Sequence, residues 1–123
     1  MRKLVYVGVL CVLLKIGAEA SRYLPFEATA YCQSGITKSG TLTHSGIVAA
    51  DPRVLPLGTR IRVENAGKYS GEYVVKDTGS KVIGRHIDLY IPHRRLAILF
   101  GRKKVLVSVV RWGSRTSSSG ASS

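Results

Sequence analysis

The chain has 123 residues, 45% of them hydrophobic, and sets 19 basic side chains against 7 acidic ones for a formal net charge of +12. With its apolar start and polar end set aside, there is room for one compact domain of about 90 residues and none for a second core. A charge of that sign concentrates a protein at polyanions without choosing among them.

The first residues place Arg2 and Lys3 before an apolar run over residues 4–14 and then a small-x-small end, Ala18-Glu19-Ala20. That is the pattern of a secretory signal peptide. Lys15 interrupts the run short of the roughly 20 apolar residues that a membrane span needs, so cleavage near Ser21 is expected and, with it, no stable membrane anchor. Cys11 would leave with the leader, so Cys32 is left as the sole thiol and no disulfide framework is possible within one chain. Losing Arg2, Lys3, Lys15 and Glu19 takes the net charge from +12 to +10. An exported protein of that charge meets the anionic cell wall or a membrane surface. Nucleic acid is not an expected partner, since aromatic and basic residues are not interleaved as single-strand binding requires.

Residues 26–31 alternate as a short strand, and residues 33–46 read as a long polar, glycine-containing loop. Residues 47–50 form a brief apolar strand ended by Asp51-Pro52, because Pro52 holds Asp51 extended and removes a backbone donor. A turn at Pro56-Leu57-Gly58 leads into the alternating strand 59–64, and Asn65-Ala66-Gly67 turns it back into a strand over 71–76 that delivers Asp77. After a loop at Thr78-Gly79-Ser80, residues 87–91 alternate again. Pro92 opens a short helix over 93–100 that Gly101 stops, and residues 105–112 are the last strand. Residues 114–123 hold too little apolar content to pack and read as a disordered Ser-rich tail. Many short strands with one short helix predict an all-β fold, a small closed barrel of six strands spanning residues 21–113.

Asp51, Asp77 and Asp88 are three of the six acids beyond the leader, and each sits within or at the end of an apolar strand segment although Asp is depleted in strands. Asp88 alternates with Ile87 and Leu89, so it faces away from the core that those two fill. Grouped carboxylates push one another's protonation apart, which leaves one able to donate while a neighbour stays charged. Glycoside cleavage needs that combination: an acid for the leaving oxygen and negative charge for the oxocarbenium-like centre. The plainer reading has Asp51 capping a turn, Asp77 making an Asx-turn with Gly79, and Asp88 paired with an arginine.

Thr29-Ala30-Tyr31, Thr37-Lys38-Ser39-Gly40, the run from Ile47 through Asp51-Pro52-Arg53 to Gly58-Thr59, Lys76-Asp77-Thr78-Gly79, Gly84-Arg85-His86-Ile87-Asp88-Leu89-Tyr90 and Phe100-Gly101 together resemble the three-aspartate, or 3D, domain. The resemblance covers about residues 26–111. It implies a double-psi β-barrel of the kind shared by membrane-bound lytic transglycosylase A and the stationary-phase survival muralytic enzymes. It further implies a lytic transglycosylase that cuts the β-1,4 bond between N-acetylmuramic acid and N-acetylglucosamine in peptidoglycan, closing a 1,6-anhydro ring; a secreted monomer with no metal or other cofactor is expected. On that resemblance Asp88 is the catalytic acid and base, Asp77 assists electrostatically, Asp51 holds the hydrogen-bond network of the site, and Thr29, Tyr31, Thr37, Ser39 and Gly79 contact the glycan. The chain departs from the family's usual residues at Lys76, at Ser80-Lys81-Val82 and at His86.

Two other readings fit parts of the sequence. Asp77-Thr78-Gly79 matches the signature of aspartic proteases, with one chain as half of a dimer, although Lys76 stands where an apolar residue is wanted. A wall-binding barrel of the expansin-like kind would use the acids for sugar and the basic surface for adhesion. His44, His86 and His93 share no tight ligand spacing and read as solvated or core histidines, not as a metal set.

Overall fold

The structure, a computed structural model, describes residues 22–114. The expected leader and all but the first residue of the expected tail lie outside the described residues. Six strands, β1 (Leu24–Tyr31), β2 (Ile47–Ala50), β3 (Arg60–Glu64), β4 (Gly71–Asp77), β5 (His86–Tyr90) and β6 (Lys103–Arg111), close into a barrel in the order β1-β5-β2-β4-β3-β6. One helix, α1 (Arg94–Phe100), joins β5 to β6. Two pairings are parallel, β1 with β5 and β2 with β4, and the other four are antiparallel. This is the six-stranded, all-β double-psi arrangement expected from the sequence.

Alternation builds the core. Ala28, Ile87, Leu89, Val48, Ala50, Val75, Ile61, Val63, Val105 and Val107 point inward and are nearly inaccessible. Truncating one of the larger of them, such as Leu89, to alanine is expected to cost about 2–5 kcal/mol. Cys32, with a free thiol, is partly buried against this cluster.

The structure moves several boundaries. The strand expected over 26–31 starts at Leu24, where it pairs with Val107 of β6. The helix expected to open at Pro92 starts at Arg94, because His93 stays extended as its N-cap. The last strand runs from Lys103 to Arg111, two residues earlier than expected at its start, and Trp112 lies beyond it with 60% of its surface exposed. Trp112 lines, with Leu24, Phe26, Leu55 and Val107 among others, an apolar cavity of about 360 Å3.

Candidate functional site

The outward-facing side chains of four neighbouring strands converge on one row. Thr29 of β1 is the register partner of Asp88 on β5, Asp88 is the partner of Ala49 on β2, and Ala49 is the partner of Asp77 on β4. Two strand spacings separate the backbones of the two aspartates, about 9–10 Å. Between them stands only the methyl group of Ala49, so the row is low at its centre.

Asp77 reaches this row through an irregularity. Two residues beyond the buried Val75, strict alternation would turn Asp77 into the core. The register instead shifts after Val48, which pairs with Val75, so that Ala49 pairs with Asp77 and Lys76 is the extra residue. A bulge of this kind re-aims the side chain that follows it. Asp77 Oδ1 then accepts hydrogen bonds from the backbone N–H of Thr78 (2.9 Å) and of Lys38 (3.0 Å), and Lys76 accepts one through its carbonyl from the N–H of Ser39 (3.0 Å). The long loop expected over 33–46 is thus tied down onto Asp77 as one wall of the site.

Asp88 is partly buried between Ile87 and Leu89, and Thr29 Oγ1 donates to its Oδ1 at 2.9 Å. Burial raises its carboxyl above the ordinary carboxylate range; the Thr29 hydrogen bond and the nearby His86 pull it down, and Asp77 pushes it up. The arginine partner of the plainer reading is replaced by this threonine. Tyr31, two residues along β1 from Thr29, packs its ring against Tyr90 with centroids 5.3 Å apart. Its hydroxyl is buried and makes no hydrogen bond among the described residues. Burial first, then the negative charge of Asp77 and Asp88 and the neighbouring Tyr90, raise its pKa.

Asp51 belongs to a different device. Its side chain is almost wholly buried, and it accepts hydrogen bonds at Oδ1 from the backbone N–H and the Nε of Arg53 (both 3.0 Å), and at Oδ2 from Arg53 Nη2 (2.9 Å) and the N–H of Gly84 (2.8 Å). These bonds, the Arg53 side-chain pair foremost, hold its carboxyl far below the ordinary range. The site residues therefore separate into a facing pair, Asp77 and Asp88, and an anchor that pins the Gly84 turn just before β5.

The other expected contact residues divide in the same way. Thr29 and Tyr31 stand in or beside the aspartate row. Thr37 is buried, with Oγ1 bonded to the N–H and hydroxyl of Thr41, so it braces the wall loop from within. Ser39 is exposed on that loop. Gly79 is exposed in a turn closed by the N–H of Val82, and a Cβ there would come within 3.0 Å of Val82 Cγ2.

Sequence reasoning read His86 as a solvated or core histidine and gave Ala49 no role. His86 Nε2 lies 2.8 Å from Thr29 Oγ1, and the signal for it was its i, i+2 spacing from Asp88 on an alternating strand. Ala49 carried no signal, because only the pairing of β2 with two other strands puts it between the aspartates. Among the described residues no group of three or more metal-ligating side chains lies close enough to hold an ion. His44 bonds Ser45 in the loop, and His93 caps α1.

The model of the 3D domain matches residues 46–111. The chain is 36% identical over 101 residues to the cell wall-binding protein YocH of Bacillus subtilis, 75% of this chain and 34% of that protein. It is 34% identical over 108 residues to the putative cell wall shaping protein YabE of the same organism, 80% of this chain and 26% of that one. It thus spans about a third or less of the length of these relatives. Among solved structures, MltA from E. coli superposes with a TM-score of 0.55 at 22% identity over 64% of this chain and 28% of MltA. MltA with bound chitohexaose superposes with a TM-score of 0.52 at 17% identity, over 67% of this chain and 29% of that one. Both likenesses are likenesses of fold.

Proposed function

This chain belongs to the 3D-domain family, and from that premise we propose that it acts at the cell wall as a peptidoglycan lytic transglycosylase. The observation that carries the reading is the row in which Asp88 and Asp77 flank Ala49, with Thr29 bonded to Asp88. A site of this shape admits a glycan across a methyl-sized floor and offers it one carboxyl whose proton is held by burial and a second carboxylate across the gap. Relatives named for cell wall binding and shaping, and a fold like that of MltA, support the substrate class.

In this reading Asp88 protonates the glycosidic oxygen as its bond to C1 of N-acetylmuramic acid breaks. The electron pair of that bond leaves with the oxygen, and the carboxylate of Asp77 steadies the positive charge that builds at C1. The muramic 6-hydroxyl then attacks C1 and gives its proton to the Asp88 carboxylate, which restores the acid and closes the 1,6-anhydro ring without adding water. Tyr31, its ring packed against Tyr90, supplies an aromatic wall beside the sugar. Asp51 acts at one remove, by fixing the turn from which β5 departs.

The similarity to a protein named for cell wall binding favours one other reading, a barrel that holds glycan without cutting it. Peptidoglycan sacculi treated with the purified protein and with Asp88→Asn decide between them. We expect fragments with 1,6-anhydromuramic ends from the parent and none from the variant, by mass spectrometry. No release from either, with sacculus binding retained in both, would overturn the enzyme and leave the binding barrel.

A further inference from the structure

The contacts of Thr29 carry an inference about His86, whose role the reading above leaves open. A threonine hydroxyl has one proton and can accept through its lone pairs. Thr29 Oγ1 lies 2.9 Å from Asp88 Oδ1 and 2.8 Å from His86 Nε2. An ionised carboxylate only accepts, so with Asp88 charged the hydroxyl proton must lie toward Oδ1. The contact with His86 then needs its proton from Nε2. A histidine carrying its proton on Nδ1 alone would reverse the chain: Thr29 would turn to Nε2, and Asp88 would face the hydroxyl with a proton on Oδ1.

We propose that His86 is a positioning residue whose Nε2–H fixes the Thr29 hydroxyl onto Asp88 Oδ1 and so reserves Oδ2 as the oxygen that carries the acid proton. His86 and Asp88 are two apart on β5, and Thr29 sits opposite Asp88 on β1, so the three side chains share the outer face of two paired strands. The effect on cleavage rests on Asp88 being the acid; the hydrogen-bond order does not. The other charged or titratable groups facing the triad are Asp77 from β4, Tyr31 on β1 and Tyr90 on β5. Glu27, opposite His86 on β1, is engaged by Arg102 at 3.5 Å.

Nuclear magnetic resonance tests the order directly. In the parent, long-range nitrogen correlations of His86 should show a proton on Nε2, and the Asp88 carboxyl carbon should be titrated alongside. His86→Ala should move the Asp88 midpoint up by about one pH unit, a tenfold change in proton affinity. His86→Gln, which keeps a side-chain N–H donor, should recover part of the shift. In a Thr29→Val background the Ala and Gln variants should titrate together, because the link between the two sites is gone. Release of anhydro ends should fall about tenfold in His86→Ala, because the acid proton is then no longer reserved to Oδ2, and recover in His86→Gln. An unprotonated Nε2 in the parent, or equal Asp88 midpoints in the Ala and Gln variants, would overturn the proposal. If the parent releases no anhydro ends, the transglycosylase reading fails, while the resonance data still decide the hydrogen-bond order.

Discussion

Asp51 and Asp88 are both carboxylates in a barrel wall, yet their surroundings give them opposite relations to stability. Asp51 is held below its ordinary range by Arg53 and Gly84, so its folded form prefers the ionised state. Its stabilisation is therefore present in full above the unfolded value of about 4 and is lost progressively as pH falls below it. The Tm should drop through that window, and Asp51→Asn should lower the Tm at pH 7 while flattening the acid limb, as calorimetry at several pH values would show. Asp88 has the other sign. Burial raises its carboxyl, so its contribution is present at low pH and is lost as pH rises through the raised folded value. Asp88→Asn keeps an acceptor for Thr29 and removes a half-buried charge, so it should raise the Tm at pH 7 by a few degrees, about 1 kcal/mol corresponding to about 4–8 °C in a domain of this size. A rise in Tm together with loss of anhydro products would mark Asp88 as a residue kept for function at a cost in stability.

At the scale of elements, the site depends on where strands are joined and where one is interrupted. The bulge at Lys76 turns Asp77 outward, and the pairing of β2 with both β4 and β5 sets Ala49 between the two carboxylates. Ala49→Val adds two methyl groups to the floor of that row. It should abolish glycan cleavage while the barrel still forms, at a cost of about 1–3 kcal/mol for overpacking; circular dichroism and the sacculus assay read the two effects separately. The end of β6 is closed in a similar way. Gly113 donates its N–H to the buried Thr59 Oγ1 at 2.9 Å, and a Cβ there would overlap the Leu57 carbonyl oxygen and come within 2.7 Å of Thr59 N. Backbone cannot yield as a flexible side chain can, so Gly113→Ala should destabilise by about 1–3 kcal/mol, read as a lower urea midpoint with the m-value unchanged.

For the whole molecule, the formal charge of +12 and the aspartate row act at different ranges. Under the proposed function, the basic surface would draw the chain to an anionic wall through a field that salt screens over about 10 Å at 0.1 M, whereas the row would engage a neutral glycan by contact. Sacculus binding should therefore weaken about tenfold or more between 50 and 500 mM salt, while binding of an uncharged chitin oligomer should change little. A parallel loss of both would place the adhesion in the glycan groove rather than on the basic surface.

The sequence by itself determined the alternation that makes six short strands, the short helix before the last of them, and the candidacy of three aspartates, because burial on one face of a strand leaves a period of two that any reader of the chain can count. It also turned Asp88 away from the core, for the same reason. What it did not contain was neighbourhood. That Asp77 and Asp88 meet across Ala49, that Asp51 stands apart as an anchor for Gly84, and that His86 reaches Asp88 through Thr29 all follow from pairings between strands 20 to 60 residues apart in the chain. The bulge at Lys76 is the sharpest case: local alternation would bury Asp77 with Val75, and only the register imposed by β2 places it beside the other carboxylate.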